Sequence, residues 1–212
     1  MSIEPVVYVV DDDQAMVESM TWIIQSVGLK VKTFTRAQDF LEQFDSSQHG
    51  CLLLDVRMPG MSGPELQNRL NEFTPPLLPI IFISGHGDVP LAVRVMKAGA
   101  TDFLTKPFND QVLLESINKA LRIDKMHREK QQENAQAEAK LALLSPREEQ
   151  VLQGIVSGKQ NKVISSDLDI SLKTVEAHRA SVMKKMGVKS VPELVKLVLN
   201  NTTQQEPVTN EE

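Results

Sequence analysis

Short apolar runs alternate with amphipathic segments over the first 121 residues of the chain. A weaker run contains Val31 and Phe34, and four stronger ones cover residues 6–10, 51–54, 80–83 and 103–104. Between the runs, apolar side chains recur every three or four positions, which is the spacing of a helix that buries one face. Five strands that alternate with five helices predict a doubly wound, five-stranded parallel α/β sheet.

Capping signals predict where the front helices begin and end. Thr35 and Asn109 each precede a helical pattern and can accept a hydrogen bond from its first turn. A fourth helix is predicted over about 90–98, with Val93 and Met96 facing the core. Glycine follows its last turn, as is common after helices.

From residue 145 onward the chain carries only helical signals. Ser145-Pro-Arg-Glu148 and Ser190-Val-Pro-Glu193 have the form of capping boxes and should begin a first and a fourth helix. Between them, a short helix is predicted over 161–168 and a longer one over 172–186, joined by the tight turn Asp169-Ile-Ser171. The rear part is therefore expected to be all-α, with four helices.

These patterns divide the chain into four parts. Residues 1–121 form the α/β domain, 122–143 a helical linker, 144–200 the smaller all-α domain, and 201–212 a polar, disordered tail. Residues 122–143 contain neither Pro nor Gly, which favours an exposed helix. Their apolar residues keep no coiled-coil period, so a stable coiled coil is not expected.

The net charge of −5 is unevenly distributed. Residues 1–124 carry −6 and residues 144–200 carry +3, which suggests different partners for the two halves. No apolar run has the length of a membrane span, and the amino terminus lacks the pattern of a signal peptide. We therefore expect a cytoplasmic protein that does not bind the membrane. Cys51 is the single cysteine and lies in an apolar strand, where it should pack in the core.

Polar side chains stand at the carboxyl ends of four predicted strands. Asp11 and Asp12 follow the first strand, Asp55 follows the run at 51–54, Ser84 ends the run at 80–83, and Lys106 follows the run at 103–104. The carboxyl ends of parallel strands converge on one crevice in an open sheet. Each residue alone would have an ordinary structural role, but together they define a candidate active site.

The residues of this crevice match the needs of phosphoryl transfer, which takes a nucleophile, a divalent cation and donors for the phosphoryl oxygens. Asp55 can act as the nucleophile and form an aspartyl phosphate. Asp11 and Asp12 would crowd it with like charge until Mg²⁺ binds. Ser84 can donate a hydrogen bond to the phosphoryl group, and Lys106 can pair first with Asp55 and then with the phosphate.

The segment from Val6 to Leu121 resembles the two-component receiver domain, a flavodoxin-like fold. Its five signature positions are filled by Asp11-Asp12, Asp55, Ser84 and Lys106-Pro107. The resemblance implies a Mg²⁺ or Mn²⁺ ion that is bound directly by Asp12, Asp55 and the backbone carbonyl of Arg57, with Asp11 acting through water. It also implies a sensor histidine kinase as phosphoryl donor.

Further features follow from the same resemblance. The Lys106-Pro107 bond is expected to be cis, and Phe103 stands at the position of the switching aromatic residue, which responds as Ser84 moves towards the phosphate. Arg57 and His86 stand where side chains can control the access of hydrolytic water. The chain would thus be a phosphoacceptor that takes up phosphate with Mg²⁺ and loses it by itself, without being a turnover enzyme.

The longer rear helix has one apolar face and one polar face, as the second helix of a helix-turn-helix requires. Val175, Val182 and Met186 share the apolar stripe. The other face carries Lys173, Thr174, Glu176, Ala177, His178, Arg179, Ala180 and Lys184. Its basic residues, together with Lys185, can neutralise DNA phosphates. On spacing alone, an ordinary amphipathic helix with a solvated face is the better explanation.

Residues 144–200 also resemble the LuxR-type DNA-binding domain, through Leu144-Ser-Pro-Arg-Glu148, Gly158, Asn161-Lys162 and Thr174-Val-Glu-Ala-His178. The resemblance implies that Glu176, Ala177 and Ala180 read bases in double-stranded DNA. It implies that the DNA backbone is held by Asn161, Lys162, Lys173, Thr174, His178 and Arg179. The final helix usually forms a dimer contact in this family.

A receiver joined to a LuxR-type domain resembles a response regulator of the NarL/FixJ class, closest to FixJ-type members. The resemblance implies a homodimer on phosphorylation through about 90–103, and RNA polymerase is a further expected partner. The residues leave two other functions open. A metal-dependent phosphohydrolase would need a general acid two residues after Asp55, where Arg57 stands. A binding-only receiver would act through protein contacts instead of DNA.

Overall fold

The structure is a computed structural model that describes residues 4–73, 78–85 and 87–202. His86 and residues 203–212 of the predicted tail lie outside these ranges. Contacts divide the chain into residues 1–128, called the α/β unit below, and residues 129–212, called the helical unit.

The α/β unit contains a five-stranded parallel sheet in the order β2-β1-β3-β4-β5. Its strands are β1 (Val6–Val10), β2 (Lys30–Phe34), β3 (Gly50–Asp55), β4 (Ile80–Ser84) and β5 (Asp102–Thr105). Its helices are α1 (Gln14–Ser26), α2 (Ala37–Gln43), α3 (Gly63–Asn71) and α4 (Val89–Lys97), and α5 (Asp110–Leu141) begins in this unit and continues past residue 128. This architecture confirms the predicted doubly wound sheet, with its crevice where the strand order reverses, between β1 and β3.

Alternate residues of the strands pack on opposite faces of the sheet. One face packs against α2, α3 and α4, and its core includes Tyr8, Leu52 and Phe82. The other face packs against α1 and α5. Cys51 is buried on this second face, which confirms its predicted core position, and burial raises the pKa of its thiol.

Side-chain caps begin α1 and α5, and the cap at Asn109 is where the sequence predicts it. The side chain of Asp13 accepts hydrogen bonds from the N–H groups of Ala15 and Met16 in α1, and Asn109 accepts one from Gln111 at 2.7 Å. The predicted cap at Thr35 is wrong, because α2 begins after Arg36, whose side chain makes no capping hydrogen bond.

The inward face of α4 differs from the sequence prediction. Val93 and Met96 are exposed, so the prediction that they face the core is wrong, and Val95 is the buried residue. The buried side chain of Gln67 in α3 donates hydrogen bonds to the carbonyls of Val95 and Ala98, at 3.0 and 3.3 Å. These bonds orient α4 so that an apolar stripe is left on its outer face.

Helix α5 is a single helix of 32 residues. It contains both the predicted last helix of the front domain and most of the predicted linker at 122–143. Over the part of the chain that the structure describes, no helix, including this one, is long and apolar enough to cross a membrane.

The helical unit contains four further helices, α6 (Pro146–Val156), α7 (Asn161–Leu168), α8 (Leu172–Met186) and α9 (Val191–Thr202). Its core is apolar and includes Leu152, Ile164 and Val182. Helices α6 and α7 approach closely at Gly154, where a Cβ would lie 2.8 Å from the Ile164 side chain. The unit confirms the predicted all-α architecture.

The two predicted capping boxes of the helical unit have different outcomes. Ser145 and Glu148 form the box at the start of α6. At the start of α9, Ser190 accepts the N–H of Glu193, but the Glu193 carboxylate accepts the N–H of Lys189 in place of that of Ser190. The second box is therefore shifted by one residue.

Candidate functional site

The loop after β3 holds Asp55 at the carboxyl edge of the sheet. The N–H of Val56 donates to the carbonyl of Ile83, and the N–H of Gly63 donates to the carbonyl of Val56, both at 3.1 Å. A Cβ at position 63 would lie only 2.3 Å from the Asp55 carbonyl oxygen. Glycine is therefore needed there for the backbones to approach.

Lys106 bridges two acidic residues from neighbouring strand ends. Its Nζ lies 2.7 Å from Oδ2 of Asp11 and 2.8 Å from Oδ1 of Asp55. The structure therefore places these three predicted residues in direct contact. The sequence prediction paired Lys106 with Asp55, and the bond to Asp11 is an additional contact that a linear sequence does not reveal.

Backbone N–H groups fix the other oxygen of each buried carboxylate. Oδ1 of Asp11 accepts the N–H of Asp13 at 2.9 Å, and Oδ2 of Asp55 accepts the N–H of Arg57 at 2.7 Å. Asp11 is 1% exposed and Asp55 is 8% exposed, whereas Asp12 is exposed. The two buried carboxylates are thus held in one orientation, and the third faces solvent.

Asp11, Asp12 and Asp55 form a group that suits a divalent cation. One carboxylate oxygen from each lies within 4.8 Å of the others. Oxygen atoms of carboxylates are the ligands that Mg²⁺ prefers in proteins. The residues therefore fit a divalent metal site, as the sequence predicts.

The charges of this cluster are only partly compensated. Burial raises the pKa of the Asp11 carboxyl, and the hydrogen bond from Lys106 offsets only part of that effect. Burial lowers the pKa of the Lys106 ammonium, but hydrogen bonds and charge from Asp11 and Asp55 outweigh it, so the net shift is upward. Lys106 is thus held in its charged form beside an excess of negative charge.

Ser84 and Phe103 lie on the neighbouring strands β4 and β5. Ser84 is buried, and its carbonyl accepts the N–H of Lys106 at 2.7 Å. Phe103 is half-buried and pairs in register with Phe82. The Lys106-Pro107 bond is cis, which confirms that expectation.

The predicted DNA-contacting residues lie on α7 and α8 of the helical unit. Between the two helices, Asp169 adopts a left-handed conformation with φ of 52°, and Ser171 caps α8. Val175, Val182 and Met186 are buried, which confirms the predicted apolar stripe.

The outer face of α8 combines small and basic side chains. Lys173, Ala177, Ala180 and Lys184 follow one another at helical spacing and are exposed, as is Glu176. The remaining predicted contacts are exposed at Lys162 and half-buried at Asn161, Thr174, His178 and Arg179. Such a face can approach DNA closely and neutralise phosphates.

Glu148 is a buried acid of the helical unit whose contacts the sequence does not predict beyond the cap. Its carboxylate accepts hydrogen bonds from Ser181 at 2.5 Å, from Lys185 at 2.7 Å and from the N–H of Ser145 at 2.7 Å. Lys185 also donates to the carbonyl of Leu143 at 3.0 Å. Lys185 is therefore bound within the unit, and its expected role in neutralising DNA phosphates is corrected.

Two family models match the chain. The model of the response regulator receiver domain matches residues 7–118, and the model of bacterial regulatory proteins of the luxR family matches residues 142–198. Together they cover both the acidic crevice and the helices that carry the candidate DNA contacts.

Individual proteins are similar over almost the whole chain. Response regulator protein TmoT of Ectopseudomonas mendocina is 46% identical over 194 residues, which are 92% of this chain and 88% of TmoT. Transcriptional regulatory protein FixJ of Bradyrhizobium diazoefficiens is 44% identical over 193 residues, which are 91% of this chain and 94% of FixJ. The solved structure of the response regulator StyR has a TM-score of 0.82 and 45% identity, covering 92% of this chain and 98% of that one. The chain therefore belongs to the transcriptional response regulators of two-component systems, in the NarL/FixJ class that joins a receiver domain to a LuxR-type DNA-binding domain.

Proposed function

We propose that Asp55 accepts a phosphoryl group from a sensor histidine kinase. One Oδ of Asp55 attacks phosphorus, so that a P–O bond forms as the P–N bond of the donor phosphohistidine breaks and the leaving imidazole takes up a proton. The hydrogen bonds from Lys106 and from the N–H of Arg57 orient the carboxylate for this attack. The chain acts as a stoichiometric acceptor and returns to its resting form when water hydrolyses the aspartyl phosphate.

Asp11, Asp12 and Asp55, with the backbone carbonyl of Arg57, are the proposed ligands of Mg²⁺ or Mn²⁺, with Asp11 acting through water. When bound, the cation neutralises the charge that develops on the phosphoryl oxygens. Lys106 already lies between two of the carboxylates and can follow the negative charge onto the phosphate. Ser84, at the end of the neighbouring strand β4, is the proposed hydrogen-bond donor to a phosphoryl oxygen. Phe103 is the proposed aromatic residue that swings inward when Ser84 moves towards the phosphate.

The proposed output is a homodimer that binds double-stranded DNA. The outer face of α4 supports dimerisation, since Val89, Val93 and Met96 recur at helical spacing and are all exposed. A dimer would bring two copies of α8 to half-sites about one DNA turn apart. Glu176, Ala177 and Ala180 are the proposed base-reading residues, and the affinity for two half-sites rises because both copies bind together. RNA polymerase remains a predicted partner.

The observation that carries this proposal is the bridge of Lys106 to both Asp11 and Asp55 at the carboxyl edge of the sheet. The experiment incubates the full chain with acetyl phosphate and MgCl₂, then measures intact mass, oligomeric state and affinity for DNA. We expect one added phosphoryl group, a shift to dimer and a rise in DNA affinity of about tenfold or more.

Asp55→Asn is the test variant, because it keeps the size of the side chain and removes the nucleophilic carboxylate. It should show none of the three changes. Glu42→Gln is the matched control, because Glu42 is an exposed acid of α2 and is not one of the crevice residues. Equal mass gain in Asp55→Asn and wild type would overturn the assignment of the phosphoacceptor.

A further inference from the structure

Helix α5 continues to contact the α/β unit beyond its last apolar anchor. Leu113, Ile117 and Ala120 recur every three or four residues and are buried against the sheet. The next two positions at this spacing are Asp124, which is also buried, and Arg128, whose side chain is half-buried. The buried stripe is therefore extended by two charged residues, which are costly to bury without partners.

Asp124 has partners for both carboxylate oxygens. Oδ2 accepts the N–H of Gly50, the first residue of β3, at 3.1 Å, and Oδ1 accepts Nε of Arg128 at 2.9 Å. Nδ1 of His49 lies 3.4 Å from the same Oδ2. Asp124 thus joins α5 to the amino end of β3, at the opposite edge of the sheet from Asp55.

Arg128 binds the loop that precedes β3. Its guanidinium donates hydrogen bonds to the carbonyls of Ser46, Ser47 and Gln48. Arginine presents several N–H donors in a fixed plane, so one side chain can bind several carbonyl groups at once. Together, Asp124 and Arg128 form a clamp between α5 and residues 46–50, called the α5 clamp below.

The loop that receives the α5 clamp is itself held in place. The carbonyl of His49 accepts the N–H of Val6 at 2.8 Å. A Cβ at position 50 would lie 1.8 Å from the Val6 carbonyl oxygen, so the two strands meet at Gly50 without space for a side chain. The α5 clamp therefore ties the helix to a fixed part of the sheet.

Within residues 121–128 of α5, Leu121 packs partly buried against the sheet core, and Asp124 is the buried side chain. Ala120 is the last buried apolar residue before this segment, and Met126 is exposed. The domain boundary that the sequence predicts at residue 121 lies at the end of the apolar stripe. The contacts of α5 with the loop before β3 continue beyond it, through Asp124 and Arg128.

We propose that Asp124 and Arg128 are positioning residues that hold residues 121–128 of α5, the last part of this helix in the α/β unit, in a fixed direction against the loop before β3. The consequence for DNA binding rests on the proposed function, because it needs a phosphorylated dimer that binds two half-sites. The α5 clamp acts through the helix and touches neither the phosphoacceptor nor DNA. Its loss should leave phosphorylation intact and weaken binding that requires both DNA-binding units together.

The α5 clamp itself is tested by amide hydrogen exchange of the full chain, which requires no phosphate. Arg128→Ala should raise the exchange rate of residues 122–130 by about tenfold or more, while residues 113–120 keep their protection. Asp124→Asn, which keeps an acceptor for Gly50 but loses the charge, should give a smaller increase. Arg122→Ala is the matched control, because Arg122 is an exposed arginine on the same helix. Unchanged exchange in Arg128→Ala would overturn the proposal.

The role in coupling is tested with DNA enriched from random duplexes by the phosphorylated wild type. Arg128→Ala should bind a duplex with two half-sites about tenfold more weakly than wild type, and a duplex with one half-site equally well. Phosphoryl uptake and dimer formation should not change. Unchanged affinity for two half-sites, or an equal loss on both duplexes, would overturn the positioning role. Failure of the wild type to take up phosphate would instead contradict the proposed function, and the exchange experiment would still test the α5 clamp.

Discussion

Each unit of the chain contains a buried carboxylate that is hydrogen-bonded to a lysine, but the two lysines have different amounts of negative charge to compensate. In the α/β unit, Lys106 serves both Asp11 and Asp55, and Asp12 adds a third carboxylate nearby. In the helical unit, Lys185 forms an ion pair with one carboxylate, that of Glu148. The first cluster has an excess of negative charge, and the second is balanced.

The difference is visible in the direction of the pKa shifts. Burial raises the pKa of Asp11, so its charged form is disfavoured. The Lys185 ammonium, the N–H of Ser145 and the hydroxyl of Ser181 lower the pKa of Glu148 from 4.5 to about 2, so its charged form is favoured. A carboxylate cluster that needs a further cation suits a reaction centre, and one whose hydrogen bonds are complete suits a structural joint.

Removing either lysine should give the largest change in the free energy of unfolding. The response to MgCl₂ should then differ between the two clusters. Lys106→Met leaves two buried carboxylates uncompensated and should lower the free energy of unfolding of the α/β unit by about 3 kcal/mol. MgCl₂ should restore part of the loss, because the cation binds the same carboxylates. Urea denaturation with and without MgCl₂ measures both effects.

Lys185→Met is the matched variant in the helical unit. It should also lower stability, because it removes the strongest partner of Glu148. MgCl₂ should not restore it. Recovery with MgCl₂ in both variants, or in neither, would contradict the distinction between the clusters.

The pH dependence of the helical unit should be the next largest effect. The pKa of Glu148 is lower in the folded state than its ordinary value of 4.5, so its contribution to stability is complete above about pH 4.5 and is lost as the pH falls towards 2. Glu148→Gln should be less stable at neutral pH and should lose less stability on acidification. The measurement is the urea midpoint of the helical unit between about pH 4.5 and pH 2. Parallel pH profiles for the wild type and Glu148→Gln would exclude Glu148 as the source of the pH dependence.

Neutralising an acid of the crevice should raise the stability of the α/β unit, whereas neutralising Glu148 should lower the stability of the helical unit. Asp11→Asn removes one of the crowded charges and should raise the free energy of unfolding by about 1 kcal/mol in the absence of divalent cations. Phosphoryl uptake from acetyl phosphate should fall at the same time. A variant that is both less stable and less active would show that Asp11 is a structural residue.

The smallest predicted effect distinguishes two adjacent lysines on α8. Lys184 is exposed on the outer face, so Lys184→Ala should reduce the slope of log affinity for DNA against log salt concentration by about 1. Lys185→Met should leave the slope unchanged, because Lys185 is paired with Glu148. DNA titrations at several salt concentrations measure the slope, and equal slopes for the two variants would remove the distinction.

The sequence predicts the sheet and its crevice because parallel strands leave their carboxyl ends at one edge, whatever the details of packing. The direct contact of Asp11 with Lys106 is not predicted, because these two strand ends are far apart along the chain and meet only in the folded sheet. The inward face of α4 is predicted wrongly, because Val95 is buried in place of Val93 and Met96. The polar bonds from Gln67 orient that helix, and an apolar pattern does not reveal them.

Polar residues that replace apolar ones in a buried stripe account for other missed features. Asp124 and Arg128 continue the spacing of Ile117 and Ala120, but their charge makes the helix look exposed beyond residue 121. Glu148 is recognisable as part of a capping box, and its bonds to Ser181 and Lys185 depend on how α6 packs against α8. A charged pair at i and i+4 that continues a buried stripe is the signal that could have found the α5 clamp.

The need of the acidic crevice for a divalent cation is tested most directly by measuring the stability of each unit with and without MgCl₂. Hydrogen exchange in increasing urea resolves the two units within the full chain. At a concentration about one hundred times the dissociation constant, the cation should stabilise the α/β unit by about 2.7 kcal/mol and leave the helical unit unchanged. The same experiment on Asp12→Asn should show a smaller shift. No shift in the α/β unit of the wild type, or equal shifts in both units, would contradict the account.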